Sequence, residues 1–283
     1  MNTIRLPVGA IIDRAIDFLV EHLSFLTKAG ADIIETVLGA IERGLIAIPT
    51  PGFIALAALA IWLLTKDRKL CLGSIIGLIL IWNMGLWAAT VSTIALVAVS
   101  TFCALAIGIP LGIMAAISSF LNKIVTPILD IMQTMPAFVY LIPAIPFFGL
   151  GKTAAIFSTV VFSMPPAIRF TYLGIRQIPT DLVECSTAFG ATRWQRLIKL
   201  DLPLAAPTIM AGINQTVMLA LSMVVIASMI GAKGLGGEVW KAIQRLQMGR
   251  GFEAGIAIVI VAIILDRVLQ KLGAPKQQQK EAV

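Results

Sequence analysis

The sequence predicts an all-α protein, a polytopic membrane helix bundle of about seven transmembrane helices preceded by amphipathic helices. Three observations carry this reading. Hydrophobic residues fill 58% of the 283 positions and charged residues only 13%, which is far from the balance of a water-soluble domain. No charged residue occurs from Cys71 to Asn122, and at about 20 residues per crossing that run holds two spans. Alternating segments about 10 residues long, the mark of a transmembrane barrel, do not occur.

In chain order, residues 8–28 place Ile12, Ile16, Leu19, Leu23 and Leu26 on one helical face, with Asp13, Arg14, Asp17, Glu21 and Lys28 opposite. Gly30 interrupts the pattern; Ile34, Val37, Leu38, Ile41 and Leu45 repeat it until Pro49 and Pro51 break it. This N-terminal segment, 1–50, reads as amphipathic helices along the membrane surface. Packing on the flank of the bundle satisfies the same periodicity. No short apolar core with a small-residue cleavage site marks a removable signal peptide. Peripheral helices within 51–89 follow: a short span from Gly52 to Leu64, a basic hinge at Lys66-Asp67-Arg68-Lys69, and a span from Leu70 to Leu86.

The core domain, 90–272, opens with a third span, Thr90 to Ser118, kinked at Pro110. A fourth, Ile128 to Phe148, is broken by Pro136, Pro143 and Pro146. After a turn at Gly149-Leu150-Gly151-Lys152, a fifth covers Ala154 to Tyr172 and contains Pro165 and Pro166. A polar loop, 178–207, separates it from a sixth span, Thr208 to Ile230. A glycine-rich loop containing Trp240 leads to a seventh, Phe252 to Leu269, and the tail, 273–283, is polar. With loop 178–207 inside, the N-terminus falls outside and the C-terminus inside. Most of the Lys and Arg residues then lie inside, as the positive-inside tendency requires. The loop with Lys233, Lys241, Arg245 and Arg250 is the exception. Span flanks also account for the net charge of +7 better than a nucleic-acid partner does.

Cys71, Cys103 and Cys185 have no metal-ligand spacing, and their odd number argues against a disulfide framework. His22 is the single histidine, so the sequence points to neither a metal centre nor a catalytic triad.

The polar loop is the most informative stretch. Thr180 or Asp181 is placed to cap a short helix, with Glu184 reaching back to Asp181 in a capping box. Gly190 supplies the left-handed residue that ends it. Thr192 caps a second short helix, which Pro203 is expected to stop. Two capped helices meeting at a glycine make a compact knob outside the membrane.

Glu184-Cys185-Ser186, Gly190 and Leu200-Asp201-Leu202-Pro203 together resemble the "EAA" loop of ABC importer permeases. Cys185 and Ser186 stand where that family usually has alanine, and Leu200 replaces isoleucine. The likeness continues in M-Q-T-M-P-A-F-V-Y-L-I-P (Met132 to Pro143), M-P-P-A-I-R (Met164 to Arg169), A-G-I-N-Q-T (Ala211 to Thr216), I-G-A-K-G-L-G-G (Ile230 to Gly237) and A-I-I-L-D-R (Ala262 to Arg267). From Trp87 to Leu272 the chain resembles the permease subunit of glycine betaine/proline betaine (quaternary ammonium) uptake systems, within the type I ABC importers.

The resemblance implies a transport subunit, not an enzyme, in the plasma (cytoplasmic or inner) membrane. It assigns Glu184, Cys185, Ser186, Gly190, Leu202 and Pro203 to coupling with a cytoplasmic ATPase. It further implies a homodimer, two ATPase subunits holding ATP and Mg²⁺, and a separate extracytoplasmic substrate-binding protein. The chain has no G-x-x-x-x-G-K-[ST] loop, so no cofactor is expected in it. Choline, carnitine, proline and trimethylamine oxide are alternative solutes. An ATP-independent secondary transporter is the rival class; the coupling motif and the lack of a carboxylate deep in a span argue against it. Candidate path residues are Met135, Pro136, Phe138 and Tyr140 at the proline break, and Asn214 and Gln215 in the sixth span. The two amides either line the path or bridge helices by hydrogen bonds. Asp130 and Asp266, near helix ends, are expected to be held by snorkelling or by pairing with Lys123 or Arg267.

Overall fold

The computed structural model describes residues 8–273, and every regular element among them is helical. α1 (Val8–Ala47) leads to a pair of short helices, α2 (Thr50–Thr65) and α3 (Arg68–Asn83). α4 (Trp87–Ile117) precedes a bent segment made of α5 (Ser119–Thr134), a 3-10 turn (Ala137–Tyr140) and α6 (Leu141–Phe148). α7 (Lys152–Arg176) is followed by α8 (Thr180–Ala188), the single turn α9 (Arg193–Arg196) and α10 (Leu202–Ala227). α11 (Leu235–Gln244) and α12 (Met248–Gly273) complete the described chain. The N-terminal residues 1–7 and the polar tail from 274 onward lie outside the described residues.

The centre of the bundle is a triad of α4, α7 and α10. Close approach makes it possible. A Cβ added at Gly112 of α4 would lie 2.7 Å from the Ile168 carbonyl oxygen of α7, and one at Gly212 of α10 would lie 2.6 Å from Phe170 Cβ. Gly108, one turn before Gly112, faces Ala167 in the same way. In lipid, where apolar surface gains little by meeting other apolar surface, such backbone-close contacts hold helices together. The buried hydroxyls of Ser158, Thr159 and Ser163 each donate to the carbonyl four residues earlier, so none is left unsatisfied.

α1 runs through Gly30 without a break, against the expected interruption. One interior glycine costs a helix only about 1 kcal/mol, and packing outweighs it. Leu38 is fully buried, Ile34, Ile41 and Leu45 rest on the core, and Glu42 pairs with Lys152 at the start of α7. The second half of α1 therefore packs on the bundle.

The fourth expected span is not one crossing helix. It begins at Ser119, and its two halves meet at 113°. Pro136 is the cause: it has no N–H to donate, and it forces Met135 to an extended ψ of 136°. By length and composition α4, α7 and the continuous helix from Arg193 to Ile230 each suffice to cross a membrane. The described residues reach five crossings if the bent pairs 30–65 and 119–148 each form one span. The two expected spans not among these five are α3, 16 residues against the about 20 that a full crossing takes, and α12, the seventh.

The glycine-rich segment, expected as a loop, holds α11. The Leu235 N–H donates to Thr93 Oγ1 at 2.8 Å, and Gly236 sits so close to α10 that a Cβ would lie 2.6 Å from Val225 Cα. The glycines weaken local helix propensity but permit this contact, and Thr93 satisfies one of the helix's free N-terminal donors.

Candidate coupling and translocation site

The knob forms as two short helices. Pro179, at φ −54° and ψ 134°, precedes α8, and no side chain caps it. The expected capping box of Asp181 and Glu184 is absent. Pro179 fixes the entry one residue earlier, which places Asp181 inside the first turn, where its charge suits the helix dipole. At the other end Gly190 has φ +78°; its N–H donates to the Thr187 carbonyl at 2.9 Å, and that of Ala191 to Ser186 at 3.1 Å. These two bonds make a Schellman motif with glycine in the left-handed position. Thr192 then caps α9 in a full capping box with Gln195: Thr192 Oγ1 accepts from the Gln195 N–H at 3.2 Å, and Gln195 Oε1 accepts from the Thr192 N–H at 2.9 Å.

Pro203 does not stop the second helix. The chain winds through a π-helical turn, Leu197–Asp201, directly into α10, with the Leu202 N–H bonded to the Leu197 carbonyl. Pro203 occupies the first turn of α10, where a missing N–H is tolerated. Across the π turn, Arg196 Nε donates to Asp201 Oδ2 at 3.2 Å, and Asp201 is buried. Sequence reasoning missed this pair because a spacing of five residues does not bring side chains together on an α-helix.

α8 buries none of its residues. Glu184 and Cys185 are exposed, and the hydroxyl of half-buried Ser186 donates to the Val183 carbonyl at 2.8 Å. Leu202 is half-buried and Pro203 exposed at the neck. Apolar surface stands out with the polar groups: Phe189 is 88% exposed, Trp194 68% and Leu182 42%. Single exposed apolar residues are ordinary, but three on one small knob make a surface suited to a protein partner.

The six path candidates fall in three places. Met135, half-buried, and Pro136, exposed, form the bend. In the 3-10 turn, which packs on α6, α7 and α10, the two rings part company. Tyr140 is buried, stacks edge-on against Phe162 with centroids 5.6 Å apart, and donates its hydroxyl to the Met132 carbonyl. Phe138 is 57% exposed. In α10, Asn214 Nδ2 donates to Asp266 Oδ1 of α12 at 2.8 Å, so Asn214 bridges helices, while Gln215 is exposed. Asp266 also accepts from Gln270. Asp130 pairs with Arg169, tying α5 to α7. The expected partners Lys123 and Arg267 lose to groups that the helix packing brings nearer. Among the described residues no group of three or more His, Cys, Asp or Glu is arranged to hold a metal ion.

Comparison with known proteins places this geometry. Over 279 residues the chain is 48% identical to the glycine betaine transport system permease protein OpuAB of Bacillus subtilis (strain 168), covering 98% of both chains. It is 48% identical to the glycine betaine/carnitine transport permease protein GbuB of Listeria monocytogenes serotype 1/2a (strain 10403S), over 95% of this chain and 96% of that one. Against the glycine betaine/proline betaine transport system permease protein ProW of Escherichia coli (strain K12) the identity is 44%, over 95% of this chain and 75% of the relative. Among solved structures, an inward-facing conformation of the MetNI methionine ABC transporter matches with a TM-score of 0.59 and 25% identity, over 70% of this chain and 96% of that one. Residues 108–275 match the model of the binding-protein-dependent transport system inner membrane component, a range that holds the end of α4, all of α7 and α10, the knob and the bend. The chain belongs to that family: it is a binding-protein-dependent transport system inner membrane component, an ABC importer permease.

Proposed function

We propose that this permease carries glycine betaine or a close quaternary ammonium relative into the cell, as one of two identical copies, driven by ATP that two separate cytoplasmic subunits hydrolyse. The observation that carries the reading is the knob. It presents Leu182, Phe189 and Trp194 to a partner, and it continues through α9 and the neck into α10, the helix most closely packed on α7. A partner that moves the knob therefore pulls on the core. ATP and Mg²⁺ belong to the partner ATPase, which docks on Glu184, Cys185, Ser186, Gly190 and the neck residues Leu202 and Pro203. A soluble binding protein delivers the solute to the opposite face. An N-terminus outside and a C-terminus inside require α2, α3 and α12 each to cross, seven spans in all.

The solute assignment follows from its chemistry and from the relatives' substrates. A quaternary ammonium nitrogen carries methyl groups in place of N–H donors, so aromatic faces suit it, each worth about 0.5–2 kcal/mol. Phe138 is the candidate ring in the path, since Tyr140 is engaged in packing. One such contact makes a weak site, which a pathway requires because the solute must leave. The test is co-purification with the ATPase, followed by uptake into vesicles containing the binding protein, with glycine betaine, carnitine, choline, proline and trimethylamine oxide as the panel. Glycine betaine should be carried best and only with ATP; uptake without ATP would establish a secondary transporter instead. Phe138→Ala should lower uptake velocity at unchanged membrane level, and a loss that merely follows protein level would make Phe138 a packing residue.

A further inference from the structure

The neck between the knob and α10 has a geometry that the family resemblance does not supply. Five residues of α-helix turn about 500°, which leaves residues i and i+5 about 140° apart around the axis. In a π turn the hydrogen bond closes from i to i+5, so the fifth residue stands over the first. Arg196 and Asp201 are five apart, and they meet at 3.2 Å across the π turn Leu197–Asp201. Their contact is thus tied to the π register, and rewinding the turn as α-helix parts them. The turn itself has a cause in Pro203, which offers no N–H to the Lys199 carbonyl four residues earlier.

The pair is also chemically committed. Asp201 is 3% exposed, and its Oδ1 has no protein partner among the described residues, so Arg196 is the cation that compensates a buried carboxylate. On the core side of the neck, α10 is held against α7, with a Cβ at Gly174 only 3.1 Å from Ala205 Cβ. On the other side the knob is exposed. A push on the knob is transmitted to α10 only if the neck between them keeps its angle.

We propose that Arg196 and Asp201 are positioning residues of coupling: their ion pair holds the neck in the π register and so fixes the angle at which α10 carries the knob. The inference rests on the transport reading above. The test uses the full permease–ATPase complex in vesicles with the binding protein and glycine betaine. Arg196→Gln and Asp201→Asn should raise the ATP hydrolysed per betaine moved by about tenfold, within the usual range for coupling between sites. Arg196→Lys, which keeps the charge but not the fork, should fall between them and the wild type. Hydrogen exchange at the amides of 197–202 should speed up in both uncoupled variants while α7 stays protected. Unchanged stoichiometry, a loss of uptake that only follows membrane level, or uncoupling without faster exchange at the neck would each overturn the clamp. If the wild-type complex shows no betaine-stimulated ATP hydrolysis, the transport reading itself falls, and the clamp falls with it.

Discussion

Gly190 and Gly112 each resist substitution, on different physical grounds. Gly190 has φ +78° and open space where a Cβ would stand, so the only obstacle to a side chain is the backbone conformation, about 1–2 kcal/mol for an ordinary residue. Asn tolerates that region and a β-branched residue does not. Gly190→Asn should therefore keep most of the uptake, and Gly190→Val should lose it, both at wild-type levels in the membrane as read by immunoblot. Gly112 has ordinary helical backbone but no room: a Cβ would lie 2.7 Å from both the Ile168 carbonyl oxygen and Thr171 Cβ. Gly112→Ala should lower the melting temperature of the purified permease, at an overpacking cost of about 1–3 kcal/mol. Gly190 was legible in the sequence because a turn between two capped helices demands a left-handed residue. Gly112 was not, since its role exists only where α4 meets α7, although the spacing Gly108-x-x-x-Gly112 was there to be noticed.

Helix ends show how far local sequence reaches. The box of Thr192 and Gln195 is built from residues three apart and needs nothing from the rest of the fold, so capping by Thr192 could be read directly. The box expected at Asp181 and Glu184 failed because Pro179 had already set the entry, and α11 was missed because Thr93 and Val225 hold it from distant helices. Asp67 combines both kinds of support. Its Oδ1 accepts from the Lys69 and Leu70 N–H groups at 3.0 and 3.2 Å, and Lys271 of α12 meets its Oδ2 at 3.3 Å. The Leu70 N–H bond chiefly, with Lys271 assisting and partial burial opposing, holds the Asp67 carboxyl below its ordinary value. A carboxylate lowered on folding stabilises the fold above its unfolded pKa of about 4, and the contribution vanishes as pH falls through the lower folded value. The protection of the first turn of α3 against hydrogen exchange, taken relative to the intrinsic rate at each pH, should accordingly fall below about pH 4. Asp67→Asn should abolish that pH dependence with the cap retained. Asp67→Ala should lose about 1 kcal/mol of local stability at neutral pH. A wild-type protection factor that is flat with pH would show that the cap does not depend on the charge.

At the scale of the whole molecule, α10 and its neck form one continuous helix, Arg193–Ile230, long enough to cross the bilayer and joining two polar surfaces. One is the knob with Arg193, Arg196 and Lys199; the other is the α11–α12 turn with Lys241, Arg245 and Arg250. Both are basic, which is why charge counting alone reads the orientation weakly here. A single crossing between them nevertheless demands that they lie on opposite sides. The measurement is thiol labelling in a background lacking Cys71, Cys103 and Cys185, since Cys185 is itself exposed on the knob. Thr187 and Gln247 are exposed positions at the two ends. Gln247→Cys should react with an impermeant reagent in intact cells, and Thr187→Cys only after permeabilisation. The reverse pattern would invert the permease and put the knob out of reach of any cytoplasmic ATPase. Labelling of both from outside would require an even number of crossings between them, which one helix cannot supply, and would remove α10 as a span.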